Sequence, residues 1–218
     1  MPVEPVGDSL VELVEVMARL RAECDWKAAQ THRSLARYLL EEAHETLEAI
    51  DTGDLSHLRE ELGDLLLQVY FHAEIAREAG EFTIDDVAAG IVAKLKRRNP
   101  HVYGDASASG AASVNELWES IKAAEKQRTS VTDGLPPTLP ALLYADKVLD
   151  RLARESPTGQ FWSEIDRRPG TSGAAESADP SVSASSGIGD RLLALVAEAR
   201  ESGVDPEQAL RDAVRRLL

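Results

Sequence analysis

Apolar residues recur at spacings of three and four along most of the chain, which is the period of an amphipathic helix. The pattern predicts helices over residues 9–23, 34–50 and 54–80, and a fourth over the stretch TIDDVAAGIVAKLKRRN, which Pro100 ends. Extended alternating runs rich in Val, Ile and Thr are missing from the sequence. We therefore predict an all-α protein in which four helices with short connections form a bundle.

Shorter segments separate these helices and follow them. CDWKAAQTH and GDASASGAAS predict loops, whereas NELWESIKAAEKQR and PALLYADKVLDRLARE predict two further helices. From residue 156 to residue 189 the chain is rich in Ser, Gly, Ala and Pro, and such a stretch buries too little apolar surface to offset its ordering entropy. We predict a catalytic domain over 1–155, a flexible linker over 156–189 and extra C-terminal helices over 190–218.

The C-terminal segment is a weak repeat of the bundle. GDLLLQVYFHAEIAREAG, at 63–80, is similar to GDRLLALVAEARESG, at 189–203, and the residues after each copy also correspond. The second copy keeps Gly189 and Asp190 but lacks the glutamates that precede the first. We interpret residues 190–218 as the remnant of a second, truncated repeat.

The composition and net charge of the chain argue against several classes of binding partner. The net charge is −14 and the pI is about 4.8, which argues against a nucleic-acid or membrane surface because both demand clustered Lys and Arg. The sequence contains neither a signal peptide pattern nor an apolar run of membrane-spanning length. Cys24 is the only cysteine, so a disulfide framework and a cysteine zinc site are excluded. We expect a cytoplasmic protein.

Two pairs of acidic residues flank the turn DTGD. Glu42 and Glu45 are three residues apart on one helix, and Glu61 and Asp64 are three apart on the next, so each pair shares one helix face. The short turn makes the two helices antiparallel neighbours, and the two pairs can then face each other. Leu residues flank both pairs, which places the carboxylates along or beside the apolar stripes.

Four converging carboxylates would repel one another and lose hydration at a cost of several kcal/mol per ion. Mg²⁺ removes this cost, because it prefers carboxylate and water oxygens and leaves positions for substrate phosphates. A solvated acidic face would explain one such pair, but two pairs joined by a short turn favour a metal site. Glu41 and Glu60 lie beside the pairs and are candidates to hold or activate a water. Glu41-x-x-His44 is half of a di-iron signature whose second half is missing.

A basic cluster follows on the fourth helix and supplies the opposite charge. Lys94 and Arg98 are four residues apart on one face, with Arg97 adjacent, and together they are candidates for a phosphate clamp. Trp26 and Trp118 are candidate stacking surfaces for a base, although packing is the commoner role of each alone. Further along, the helix of Trp118 also carries two charged residues on the same face, Lys122 and Glu125.

The motifs EEAHE, REELGD and KLKRRNPHV together resemble the MazG family of nucleoside triphosphate pyrophosphohydrolases, within the all-α NTP pyrophosphatase group. CDWKAAQTHRSLARYLLEEAHE and WESIKAAE are similar to family blocks as well, and the resemblance spans residues 9–153. It implies a four-helix MazG-like bundle in an interlocked homodimer or higher homo-oligomer. It also implies Mg²⁺-dependent hydrolysis of an NTP or dNTP to the monophosphate and pyrophosphate, with Mn²⁺ as a substitute ion, in nucleotide house-cleaning.

The same resemblance assigns roles to individual residues. The metal ligands that it implies are Glu42, Glu45, Glu61 and Asp64. Lys94 and Arg98 would contact the triphosphate, and Glu41 or a neighbouring carboxylate would orient the attacking water. The candidates for substrate binding are Glu60, Lys94, Arg97, Arg98, Trp118, Lys122 and Glu125.

Other readings of the sequence stay open at this point. Within the enzymes, the substrate could be a different nucleotide, such as dUTP, dCTP or phosphoribosyl-ATP. Outside them, the acidic faces could only solubilise a non-catalytic helical interaction module. A di-iron carboxylate bundle is the third alternative. The intact acidic pairs count against the interaction module, and the missing second ExxH motif counts against the di-iron protein.

Overall fold

The structure, a computed structural model, describes residues 8–125, 129–155 and 180–217. The predicted all-α class is confirmed, because the described residues contain helices and no strand. In chain order the helices are α1 (Asp8–Glu23), α2 (Asp25–Ala28), α3 (His32–Thr52), α4 (Leu55–Glu78), α5 (Ile84–Arg98), α6 (Pro100–Tyr103), α7 (Ala111–Glu125), α8 (Ala141–Glu155), α9 (Pro180–Glu201) and α10 (Pro206–Arg215). The chain divides into two compact units, Met1–Lys122 and Ala123–Leu218, and each is described by itself.

Local capping signals fix the two helices that carry the acidic pairs. Thr31 and Ser34 form a capping box at the start of α3, and Gly53 ends the helix with a left-handed φ of 72°. The carboxylate of Asp54 then accepts hydrogen bonds from the backbone N–H groups of Ser56 and His57 at 2.9 and 3.1 Å. Because so few residues separate the helices, α3 and α4 are antiparallel neighbours, as the sequence predicted.

The core of the first unit joins three helices. Met17 of α1, Leu35 of α3 and Phe71 of α4 are almost completely buried against one another. Arg21 adds a polar connection, because its guanidinium pairs with Glu78 of α4 and donates hydrogen bonds to backbone carbonyls between residues 27 and 30. This apolar core therefore holds α3 and α4 against α1.

Two predicted loops in the first unit differ from the structure. CDWKAAQTH, predicted as a loop, contains the short helix α2, whose end is held through the carbonyls that Arg21 binds. The prediction that Pro100 ends the fourth helix is confirmed, since α5 ends at Arg98. Pro100 also begins the short helix α6, whose first turn needs no proline N–H. The predicted loop 104–113 is shorter than expected, because α7 begins at Ala111.

In the second unit, α8, α9 and α10 pack around Leu149, Val196 and Ala197. Arg200 of α9 pairs with Asp146 at 3.0 Å and with Asp150, both on α8. The predicted linker boundary at residue 189 was wrong, because α9 already begins at Pro180; alanine and serine permit a helix, and proline fits its first turn. Residues 156–179 lie outside the described part of the chain. None of the described helices is long and apolar enough to cross a membrane.

Candidate metal and nucleotide site

Three of the predicted metal ligands lie together between α3 and α4. One carboxylate oxygen from each of Glu42, Glu45 and Glu61 falls within 4.8 Å of the other two. Glu42 and Glu45 are one turn apart on α3, and the antiparallel α4 brings Glu61 opposite them. The predicted convergence of the acidic pairs is thus present for these residues.

Glu61 is the most buried member of this group, with 7% of its surface exposed. One of its oxygens, Oε1, lies 3.0 Å from Nε2 of His57. The other, Oε2, is sealed from solvent and has no hydrogen-bond partner among the described residues. A buried acceptor without a partner costs about 1–3 kcal/mol, and more when it is charged, so this oxygen fits a ligand that carries positive charge.

The pKa of Glu42 also reflects the negative charges that surround it. Burial, followed by the negative charges of Asp64, Glu45, Glu61 and Glu41, raises the pKa of Glu42 above its ordinary value. Asp64 is outside the tight group of three oxygens, yet it is the carboxylate with the largest effect on Glu42. The fourth predicted ligand is therefore outside the group of three oxygens but close enough to Glu42 to raise its pKa.

The chemistry of this donor set fits a hard divalent cation. It consists of carboxylate oxygens, one of them an orphaned buried atom, and it lacks the sulfur and imidazole ligands that zinc or copper would favour. His44 is exposed on α3 and is not part of the group. Glu41 and Glu60, the candidates for handling water, are exposed side chains on the same two helices.

The residues predicted to form the phosphate clamp differ in how exposed they are. Lys94 and Arg97 are exposed on α5, and among the described residues no ion pair joins Lys94 to the acidic group. Arg98 is 8% exposed, and its guanidinium carbon lies 5.1 Å from the ring centroid of Trp118. Lys94 is thus available to a ligand, whereas Arg98 is partly committed to packing on α7.

The predicted residues of α7 fall into two sets. Nζ of Lys122 lies 4.7 Å from the ring centroid of Trp118 and 2.9 Å from a carboxylate oxygen of Glu119. Arg98, Trp118 and Lys122 therefore form one cation–aromatic cluster in the first unit. Glu125 is exposed at the end of α7 and belongs to the second unit.

His57 is a site residue that the sequence reasoning missed. It contacts Glu61 from one turn earlier on α4, in the position where hydrogen bonds commonly orient a metal-binding carboxylate. The spacing of four between His57 and Glu61 is the only signal in the sequence, and it is the ordinary spacing of helical side-chain pairs.

An all-α bundle with a carboxylate centre between two antiparallel helices is the class of protein that this fold and site define. Residues 30–103 match the profile described as the MazG nucleotide pyrophosphohydrolase domain. Over 95% of the chain, the sequence is 40% identical to the nucleoside triphosphate pyrophosphohydrolase/pyrophosphatase MazG of Thermotoga maritima, with 82% of that protein covered.

Two further relatives extend the comparison. An uncharacterized 26.1 kDa protein of Streptomyces cacaoi is 45% identical over 95% of this chain and 78% of its own length. The nucleoside triphosphate pyrophosphohydrolase of Escherichia coli K12 is 38% identical over 92% of this chain and 81% of its own length. The chain belongs to the MazG family of nucleotide pyrophosphohydrolases, which hydrolyse a phosphoanhydride bond.

Proposed function

We propose that the protein hydrolyses nucleoside triphosphates, ribo- or deoxyribo-, to the nucleoside monophosphate and pyrophosphate, and that it requires Mg²⁺. The observation that carries this proposal is the convergence of Glu42, Glu45 and Glu61 around the orphaned buried oxygen of Glu61. The names of the relatives from Thermotoga maritima and Escherichia coli support the substrate class. Removal of unwanted nucleotides from the cytoplasmic pool is the role that we propose for this activity.

The acidic residues have different proposed roles in binding the metal ion. Glu42, Glu45 and Glu61 would hold the ion, with Asp64 as the outermost ligand. His57, whose Nε2 lies 3.0 Å from Oε1 of Glu61, would help to orient that carboxylate. When bound, Mg²⁺ neutralises charge on the phosphate oxygens and polarises them. Lys94, exposed on α5, would add a positive charge to the triphosphate as a mobile point charge.

The reaction that we propose is attack by water on the α-phosphorus. A bond forms between the water oxygen and the α-phosphorus, and the bond from that phosphorus to the oxygen bridging the α- and β-phosphates breaks. Pyrophosphate leaves with the bridging oxygen. Glu41, which is exposed next to Glu42, would orient the water and accept its proton as general base.

A homodimer is the assembly that we propose. Large apolar side chains remain exposed on α3, α4 and α5, and a partner chain that covered them would remove this apolar surface from water. On α3, α4 and α5 these side chains are Leu39, Leu40, Leu47, Ile50, Leu55, Leu62, Val69, Val87, Ile91, Val92 and Leu95. Light scattering coupled to size exclusion is expected to give twice the chain mass of 23.7 kDa, and a monomer at micromolar concentration would exclude the dimer.

The activity is tested with a panel of NTPs and dNTPs, assayed with Mg²⁺, with Mn²⁺ and with a chelator. We expect pyrophosphate and the monophosphate in equal amounts, and no turnover after chelation. Release of orthophosphate would point to cleavage at another phosphoanhydride bond. Absence of turnover with every nucleotide would favour a non-catalytic interaction module.

A further inference from the structure

Helices α9 and α10 of the second unit correspond to α4 and α5 of the first unit through the internal repeat. Ala197 of α9 matches Phe71 of α4, and each is buried in the core of its own unit. Asp205 matches Thr83, and each is the N-cap of the helix that follows. The exposed faces of the two units can therefore be compared position by position.

The face of α4 that meets α3 has solvated counterparts on α9. On α4 this face includes Gln68, which is buried, and His72, whose Nδ1 lies 2.8 Å from Nδ1 of His32 on α3. The matching residues on α9 are Ala194 and Glu198, and both are exposed. Where α9 presents this face to solvent, it is thus small or charged, as a solvated helix face should be.

A second exposed face of α9 has a different composition. Ile188, Leu192 and Leu195 follow one another at spacings of four and three, so they share one side of the helix. Ile188 and Leu195 are each 58% exposed. On the neighbouring α10, the exposed residues with the same spacing are Leu210, Val214 and Leu217.

The first unit exposes apolar side chains at the matching positions. Leu62 and Val69 on α4 are the counterparts of Ile188 and Leu195, and they are also exposed. Val92 on α5 has the same relation to Val214. These residues of α4 and α5 belong to the surface that the proposed homodimer would cover. The second unit therefore has the matching apolar surface, although it lacks the glutamates of the carboxylate site.

The contrast between the two faces of α9 indicates that the apolar one has a partner. A helix face that stayed in water would be free to carry polar side chains, as the face with Ala194 and Glu198 does. Six large apolar side chains on two adjacent helices instead resemble the apolar centre of an association surface.

Charge favours a second copy of this chain as that partner. Residues 187–217 carry six acidic and five basic side chains, a net charge of −1, whereas the whole chain has a net charge of −14. Two copies of this nearly neutral region would repel each other little. A nucleic acid or an anionic membrane would instead require a clear excess of positive charge.

We propose that the α9–α10 stripe, formed by Ile188, Leu192, Leu195, Leu210, Val214 and Leu217, is a self-association surface. The same stripe of a second copy packs on it, in an isologous contact in which each residue is used twice. The stripe adds an interface to the proposed homodimer, and it does not depend on the proposed hydrolysis. The remnant of the second repeat thereby has a role in assembly.

The test compares dimer dissociation constants of the full chain, measured by fluorescence-detected sedimentation velocity over a dilution series. Leu195→Glu places a charge in the stripe of both copies, so the constant should rise roughly 30-fold or more. Val214→Glu should act in the same direction from α10, which keeps the test valid if one variant folds poorly. Ala194→Glu is the matched control, because it adds the same charge one position away on the solvated face. It should leave the constant unchanged.

The outcomes separate this surface from the proposed contact of the first unit. Val69→Glu places a charge in the matching stripe of α4, and combining it with Leu195→Glu should weaken association further than either change alone. A wild-type dimer whose dissociation constant is unaffected by Leu195→Glu and by Val214→Glu would overturn the proposal while leaving the first-unit interface intact. Equal weakening by Ala194→Glu would also overturn it, because the effect would then come from charge alone. A wild type that is monomeric at micromolar concentration would overturn both interfaces.

Discussion

Replacement of Glu42 by glutamine should have opposite effects on stability in the absence and in the presence of Mg²⁺. Glu42, Glu45 and Glu61 place their oxygens within 4.8 Å of one another. At that separation two like charges repel by about 0.9 kcal/mol in water and about 3.5 kcal/mol at an effective dielectric constant of 20. Glu42 is half-buried and Glu45 is exposed, so solvent screening reduces the gain from removing one charge to about 1–2 kcal/mol.

In a chelating buffer at pH 7.5, Glu42→Gln should therefore raise the thermal midpoint by roughly 2–8 °C. With Mg²⁺ at a hundred times its dissociation constant, the wild type gains about 2.7 kcal/mol. The variant should gain much less, because it has lost a ligand. Differential scanning fluorimetry with and without the ion measures both effects.

The stability difference between Glu42→Gln and the metal-free wild type should also depend on pH. Burial and the neighbouring carboxylates raise the pKa of Glu42 in the folded protein, so the folded state binds the proton more tightly than the unfolded chain. The metal-free wild type loses this part of its stability as the pH rises through the raised pKa. The advantage of Glu42→Gln should consequently disappear in acid, where Glu42 is protonated in both states.

A lower thermal midpoint for Glu42→Gln than for the wild type, in chelating buffer at pH 7.5, would contradict this prediction. It would mean that the carboxylates do not repel one another across α3 and α4. Glu12→Gln, at an exposed position of α1, is the matched control. It should leave the midpoint and its response to Mg²⁺ unchanged.

Three further predictions concern other residues of the first unit. His57→Ala should weaken Mg²⁺ binding about 10- to 100-fold in titration calorimetry, because Glu61 loses the imidazole that lies 3.0 Å from its Oε1; unchanged affinity would make His57 a surface residue. Lys94→Ala should raise KM for all NTPs to a similar extent, because it removes charge from the triphosphate site, and a loss confined to one base would assign it to base recognition. Burial and the charge of His32 lower the pKa of His72, so the unfolded chain binds more protons as the pH falls below about 6.5. Urea unfolding should therefore show stability falling on acidification, with a smaller fall in His72→Asn; an identical slope in the variant would exclude His72 as the source.

The parts of the site that the sequence predicted are those with local signals. The ends of α3 and α4 follow from Thr31, Gly53 and Asp54, whose capping roles depend only on neighbouring residues. Once the two helices are adjacent, spacings of three put Glu42 and Glu45 on one face. The preference of these converging carboxylates for a cation then follows from their negative charge alone.

The parts that were missed depend on tertiary contacts. The short helix α2 is held by the Arg21 side chain, which binds carbonyls six to nine residues later, and the helix propensity of residues 25–28 does not reveal this contact. The burial of Arg98 against Trp118 depends on how α7 packs, so the sequence predicted a clamp residue where the structure shows a partly packed one. Sequence spacing also does not resolve that Asp64 lies outside the group of three oxygens.

A single face of α4 accounts for most of the unsatisfied polar atoms in the described first unit. Glu61 Oε2, Gln68 Oε1 and His72 Nε2 are all sealed from solvent without hydrogen-bond partners there, at intervals of seven and four residues. Each costs about 1–3 kcal/mol, and leucines at neighbouring positions show that the helix accommodates apolar side chains. Three such atoms in one row, from the carboxylates to the histidine pair, therefore lower the stability of the ligand-free first unit, and the row begins at the carboxylate whose orphaned oxygen fits a cation.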